Sequence, residues 1–189
     1  MASSERAIMA VRSIFDRYKL IAEAQDYKGF DKHLMDNAKI IDATDSGVTI
    51  CEFTITEQYG NLNGVMHGGA AGVIFDMCTT IALGPVAKPG SWEYNLLVFL
   101  GGVTRTLNIS YLKAVPLGTT VRLYSEVVQF GRTMAMIRGS MTSQDGSIVY
   151  CTCEHHKVSV PTKPDHLAHK VEWDGLWKKD VEADSKSKL

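Results

Sequence analysis

The chain carries no excess of either charge: 20 lysines and arginines meet 21 aspartates and glutamates over 189 residues, a formal net charge of -1. That balance leaves no electrostatic footprint for nucleic acid or a membrane surface as the main partner. No apolar run approaches the roughly 20 residues of a membrane-spanning helix, so the membrane is not expected as a partner. The four cysteines, Cys51, Cys78, Cys151 and Cys153, lie scattered among hydrophobic residues, which suits a reducing compartment better than a disulfide framework. A Gly-x-Ser-x-Gly elbow is missing, which argues against a serine α/β-hydrolase, and neither a Rossmann fingerprint nor a P-loop is visible. Cys78 and His67 are too far apart for a dyad within one helix, roughly 16 Å along its axis. Cys151, Cys153 and His155 alternate onto one side of a strand, a pattern that core packing explains more simply than zinc. No metal or redox cofactor is implied.

With 45% hydrophobic and 22% charged residues, the chain has the composition of one compact domain able to bury a sizeable core. The spacing of Ile8, Val11, Ile14, Phe15, Tyr18 and Leu20 predicts an amphipathic helix rather than a transit peptide. An interruption at Asp26 to Gly29 divides the extension, residues 1–38, into two helices. Residues 39–160 read as an α+β domain. Two strands, Lys39 to Ala43 and Val48 to Ile55, flank Asp45-Ser46-Gly47, and a long helix from Met66 to Leu83 follows. After a Pro- and Gly-rich insertion at Gly84 to Gly102 come four strands: Thr104 to Tyr111, Thr119 to Phe130, Thr133 to Thr142 and Ile148 to Val160. Their turns predict an antiparallel meander of hairpins. Residues 161–189 read as a polar tail. Its last three residues, Ser187-Lys188-Leu189, form the tripeptide read by the peroxisomal import receptor, so a peroxisomal location is expected, with a cytoplasmic one as the alternative.

Between His67 and Lys88 the only residue with a full charge is Asp76, in the apolar company of Val73, Ile74, Phe75, Met77 and Ile81. Burying a lone carboxylate costs several kcal/mol, roughly, so a role that repays this is expected. At the helix entry, Gly68 and Gly69 let a substrate approach unpaired N–H groups at the positive end of the helix dipole, where an oxyanion is stabilised. Gly68 and Asp76 are about 12 Å apart along one helix and cannot both touch one carbonyl. Two antiparallel copies of the helix across a two-fold axis bring Gly68 of one to Asp76 of the other, which predicts a homo-oligomer.

Asn61, His67-Gly68-Gly69, Asp76 and Ala82, followed by the run Val103 to Tyr111, then Gly131-Arg132-Thr133 and His156-Lys157, resemble the hotdog-fold acyl-CoA thioesterases of the PaaI-like group. The resemblance covers roughly Gly47 to Val158. It implies an antiparallel sheet wrapped around one long helix, a homodimer or homotetramer, and hydrolysis of acyl-CoA. Asp76 is then the general base for water, or the nucleophile of a transient anhydride. The Gly68 N–H polarises the carbonyl, and Gly69 allows the approach. Asn61 either holds carbonyl or water or is a satisfied turn residue, and His67 either fixes the helix entry or adds a weak donor. Thr104 stands where the group has a catalytic Ser; it keeps the hydroxyl but adds a methyl, and either orients water or is an ordinary strand residue. At the hairpin Gly131-Arg132-Thr133, Arg132 is placed to pair with a CoA phosphate unless it is merely a solvated turn residue, with Lys113 and Lys157 as lesser candidates. The segment Gly84 to Gly102, longer than in the group, leaves the acyl preference open. Rival readings are a non-catalytic acyl-CoA-binding hotdog protein and a hotdog hydratase or dehydratase.

Overall fold

The computed structural model of the chain describes residues 4–87, 92 and 101–175. Two helices, α1 (Glu5–Ala24) and α2 (Lys32–Asn37), precede strands β1 (Lys39–Ala43) and β2 (Val48–Thr54). Helix α3 (Gly68–Thr80) passes into a 3-10 turn at Ile81–Leu83 and is followed by β3 (Val103–Tyr111), β4 (Thr120–Phe130), β5 (Met134–Ser143) and β6 (Val149–Val158). One antiparallel sheet wraps α3, the hotdog arrangement. Helix and strand periods in the sequence therefore place these elements to within a few residues.

Strand connectivity differs from the expected meander. The sheet order is β1-β2-β4-β5-β6-β3, so β3 pairs with β6 and not with β4. The chain after β3 crosses the end of the sheet instead of folding back. Met66 N–H donates to Val115 O at 2.8 Å and Gly118 N–H donates to Ile55 O at 2.7 Å, which carries the segment past the α3 entry to the edge of β2. A Pro-Leu-Gly turn encodes a bend, not the edge to which the chain returns.

Helix α3 buries Ala71, Ile74, Phe75 and Cys78 against the sheet. Close approach is set at Gly139 in β5, where a Cβ would lie 2.7 Å from Cys153 Sγ and 3.1 Å from Phe75 Cδ1. The apolar face of α1, including Val11, Ile14 and Phe15, joins the same core, although Leu20 is exposed. Ser4 caps α1 by accepting from Ala7 N–H at 3.1 Å.

Part of the segment expected as a polar tail is packed. Trp173 is buried with Ala10, and Arg6 lies 5.0 Å over its ring. Asp174 forms a buried ion pair with Arg17, whose Nε also donates to His169 O at 3.1 Å. Ser187, Lys188 and Leu189, and most of the apolar run in the 84–102 insertion, lie outside the described residues.

Candidate active site

Asp76 is neither fully buried nor alone. Its carboxylate keeps 42% exposure, because α3 turns this face away from the sheet. Thr104 Oγ1 donates to Asp76 Oδ1 at 2.5 Å, His155 Nε2 lies 3.4 Å from the same oxygen and Lys157 Nζ 3.8 Å. Cys151, Cys153, His155 and Lys157 alternate onto the inner face of β6 and are buried, so the strand period that packs two cysteines also delivers two functional groups. Sequence reasoning missed this convergence. Lys157, a candidate for CoA phosphate from its position, faces Asp76 from inside the fold.

Thr104 reaches this cluster through a β-bulge. The β3–β6 register runs Leu107↔His155 and Thr106↔His156 but then Thr104↔Lys157, leaving Arg105 as the extra residue. Strict alternation from the inward Leu107 would turn Thr104 outward; the added residue turns it back.

Burial lowers the Lys157 pKa to about 8, with the Asp76 charge pulling it back upward. Burial, and after it the charge of Lys157, lowers His155 to about 4, so its ring is neutral at physiological pH. Four contacts then compete for protons. Thr79 Oγ1 meets Phe75 O and His155 Nδ1, each at 2.6 Å, while Thr104 Oγ1 meets Asp76 Oδ1 at 2.5 Å and His155 Nε2 at 2.9 Å. Two hydroxyls and a neutral imidazole supply three protons between them, so one contact is always unmade. With the proton on Nδ1 of His155, Thr104 donates to either Asp76 or His155; with it on Nε2, Thr104 accepts from His155 and donates to Asp76.

The other end of α3 has different chemistry. His67 caps the helix by accepting the Gly69 N–H through Nδ1 at 2.9 Å, the helix-entry role, which leaves the ring proton of a neutral imidazole on Nε2. Gly69 N–H is consumed in this way. Among the described residues no acceptor meets the Gly68 N–H. Asn61 Oδ1 accepts from Asn63 N–H at 2.8 Å, which fixes the loop and leaves the amide nitrogen of Asn61 as a donor. Asn61, His67 and Gly68 border one cavity of about 790 Å³, and Asp76 and Thr104 border another of about 400 Å³. Within one chain Gly68 and Asp76 thus border different cavities.

At the β4–β5 hairpin the backbone is satisfied internally: Gly131 N–H donates to Met134 O at 2.8 Å, and Arg132 O and Thr133 O accept from Trp92 and Ser159 at 2.7 and 2.8 Å. The exposed Arg132 side chain lies at the Thr104 end of the sheet, since Met134 and Val103 both pair with Val158. Lys113 lies at the opposite end, its N–H on Tyr150 O.

A family model described as Thioesterase superfamily matches residues 63–150, the span holding Gly68, Asp76 and Thr104. Over that span the chain is similar to the thioesterase superfamily. That match and the similarity to an acyl-coenzyme A thioesterase support a thioester hydrolase. Mouse "Acyl-coenzyme A thioesterase 13" is 23% identical over 129 residues, 68% of this chain and 84% of that protein. The nematode Caenorhabditis elegans "Putative esterase F42H10.6" is 25% identical over 61% of this chain, which spans 62% of that relative's length. Mouse thioesterase superfamily member 2 shares the fold with a TM-score of 0.61 at 20% identity, over 85% of this chain and 100% of that chain.

Proposed function

We propose that this protein is a thioesterase that hydrolyses acyl-CoA to a free carboxylic acid and CoA at a site shared by two copies of the chain. The observation that carries the reading is the partly exposed Asp76 carboxylate, held by Thr104 at a cavity in an otherwise uncharged helix face. Asp76 takes a proton from water as its oxygen attacks the acyl carbon. The carbonyl oxygen gains charge against the Gly68 N–H and the Asn61 amide of the second copy, the C–S bond breaks and the sulfur leaves to be protonated as CoA. The similarity to an acyl-coenzyme A thioesterase supports CoA as the thiol. The exposed Arg132 offers a partner for its phosphates.

Two observations support the second copy. Helical rise separates Gly68 from Asp76 by about 12 Å. Strand β3 ends the sheet with nearly every residue exposed, leaving an open edge on which another copy can extend the sheet toward a homodimer or homotetramer.

Thiol release from a panel of acyl-CoA esters, run for the parent and for Asp76→Asn, tests the reading. The variant should keep its oligomeric state and lose about a hundredfold or more in turnover, the usual worth of a positioned acid or base. Tight ester binding by the parent with no thiol release would show a binding protein instead.

A further inference from the structure

The link between α1 and α2 fixes one aromatic ring over the catalytic helix. Asp26 takes a left-handed φ of 46°, Tyr27 N–H donates to Ala22 O at 2.8 Å and Tyr27 Oη donates to Asp31 Oδ1 at 2.8 Å. A Cβ on Gly29 would fall 1.9 Å from Tyr27 Oη, so only glycine leaves room for that tyrosine to cross the turn. The residue presented by this brace is Phe30, 67% exposed.

Phe30 lines two cavities that meet along the outer face of α3. One, of about 350 Å³, reaches His67 and Ala70; the other, of about 400 Å³, reaches Asp76 and Thr104. Gly69 and Val73 border both, so the cavities form one groove running from the helix entry to the carboxylate. The floor holds small residues, Gly69, Ala70 and Gly72, and the Phe30 ring stands with Val73, Met77 and Leu107 as its apolar lining. Leaving such a ring in water forgoes burial that a ligand with an apolar portion recovers.

We infer that Phe30 is a specificity-determining residue that packs against the acyl group, and that the groove takes uncharged acyl chains longer than acetyl. This rests on the acyl-CoA reading above. Charge decides which end of the substrate enters. Among the described residues no lysine or arginine lines either cavity, and the acidic ones that do, Asp31 and Asp76, repel the CoA phosphates and any acyl group ending in a carboxylate.

The test uses the full chain and its Phe30→Ala and Phe30→Leu variants, with kcat/KM measured for acetyl-, octanoyl- and succinyl-CoA. The parent should favour octanoyl over succinyl. The octanoyl-to-acetyl ratio should fall about tenfold in Phe30→Ala and less in Phe30→Leu, in keeping with the worth of apolar pocket contacts. Equal losses on all three esters, or none, overturn the inference. So does a change of oligomeric state in Phe30→Ala, which would give the ring to the interface between copies. Calorimetric binding of CoA and octanoyl-CoA separates this from failure of the hydrolytic reading. A parent that releases no thiol ends that reading, while tighter octanoyl-CoA binding that is lost in Phe30→Ala still upholds the acyl contact. Equal affinity of the parent for CoA and octanoyl-CoA refutes it.

Discussion

Lys157 Nζ lies 3.8 Å from Asp76 Oδ1, a buried ammonium behind a half-open carboxylate. Burial holds the lysine pKa at about 8 instead of 10.5. The folded state therefore binds its proton less tightly than the unfolded state. Below pH 8 this costs stability, and the cost is relieved as pH rises from 8 toward 10.5, on the order of 3 kcal/mol in full. Lys157→Met should accordingly be at least as stable as the parent at pH 7, by urea denaturation, yet slower in thiol release. The parent should also show a fall in kcat above about pH 8, as Asp76 loses its cation, and the variant should lack that limb. A variant that is both destabilised and unchanged in its pH profile would contradict this role.

His155 makes the fold sensitive to acid. Its pKa is lowered to about 4 from 6.5, so the unfolded chain takes up a proton that the native chain refuses. The associated stability is complete above pH 6.5 and is lost as pH falls from 6.5 through 4, again on the order of 3 kcal/mol. Urea midpoints at pH 7 and pH 4.5 should differ more for the parent than for His155→Gln.

Thr104 supplies the one hydroxyl shared by Asp76 and His155. Thr104→Val keeps the shape but leaves both partners wanting, and at about 1 to 3 kcal/mol for an unmet polar group it should cost roughly tenfold or more in kcat. Thr104→Ser restores the hydroxyl and should stay within about threefold of the parent. Steady-state kinetics of the pair separates the hydroxyl from the methyl.

Gly68 has space for a side chain inside its own subunit, since the nearest atoms a Cβ there would meet are those of Tyr111, at an ordinary 3.5 Å. Gly68→Ala should therefore preserve the melting temperature, since Gly68 is the first residue of α3 and the added methyl meets no tight contact. Turnover should nonetheless fall at least roughly tenfold as the methyl crowds the carbonyl oxygen. A melting temperature that drops along with activity would instead mark the glycine as a packing residue.

The sequence alone determined the elements and the chemistry carried by local pattern: two-fold alternation in the strands, the helical run through Asp76 and the glycine pair at its entry. These were legible because periods and turn residues act over a few positions. Only the tertiary structure sent β3 to the edge beside β6, inserted Arg105 as a bulge that turns Thr104 inward, and set Lys157 and His155 against Asp76. It also packed Trp173 and Asp174 onto α1, within a stretch that reads as polar tail. Strand pairing, bulges and long-range ion pairs are settled by burial and hydrogen bonding between segments distant in the chain, and a one-dimensional pattern does not encode which edges meet.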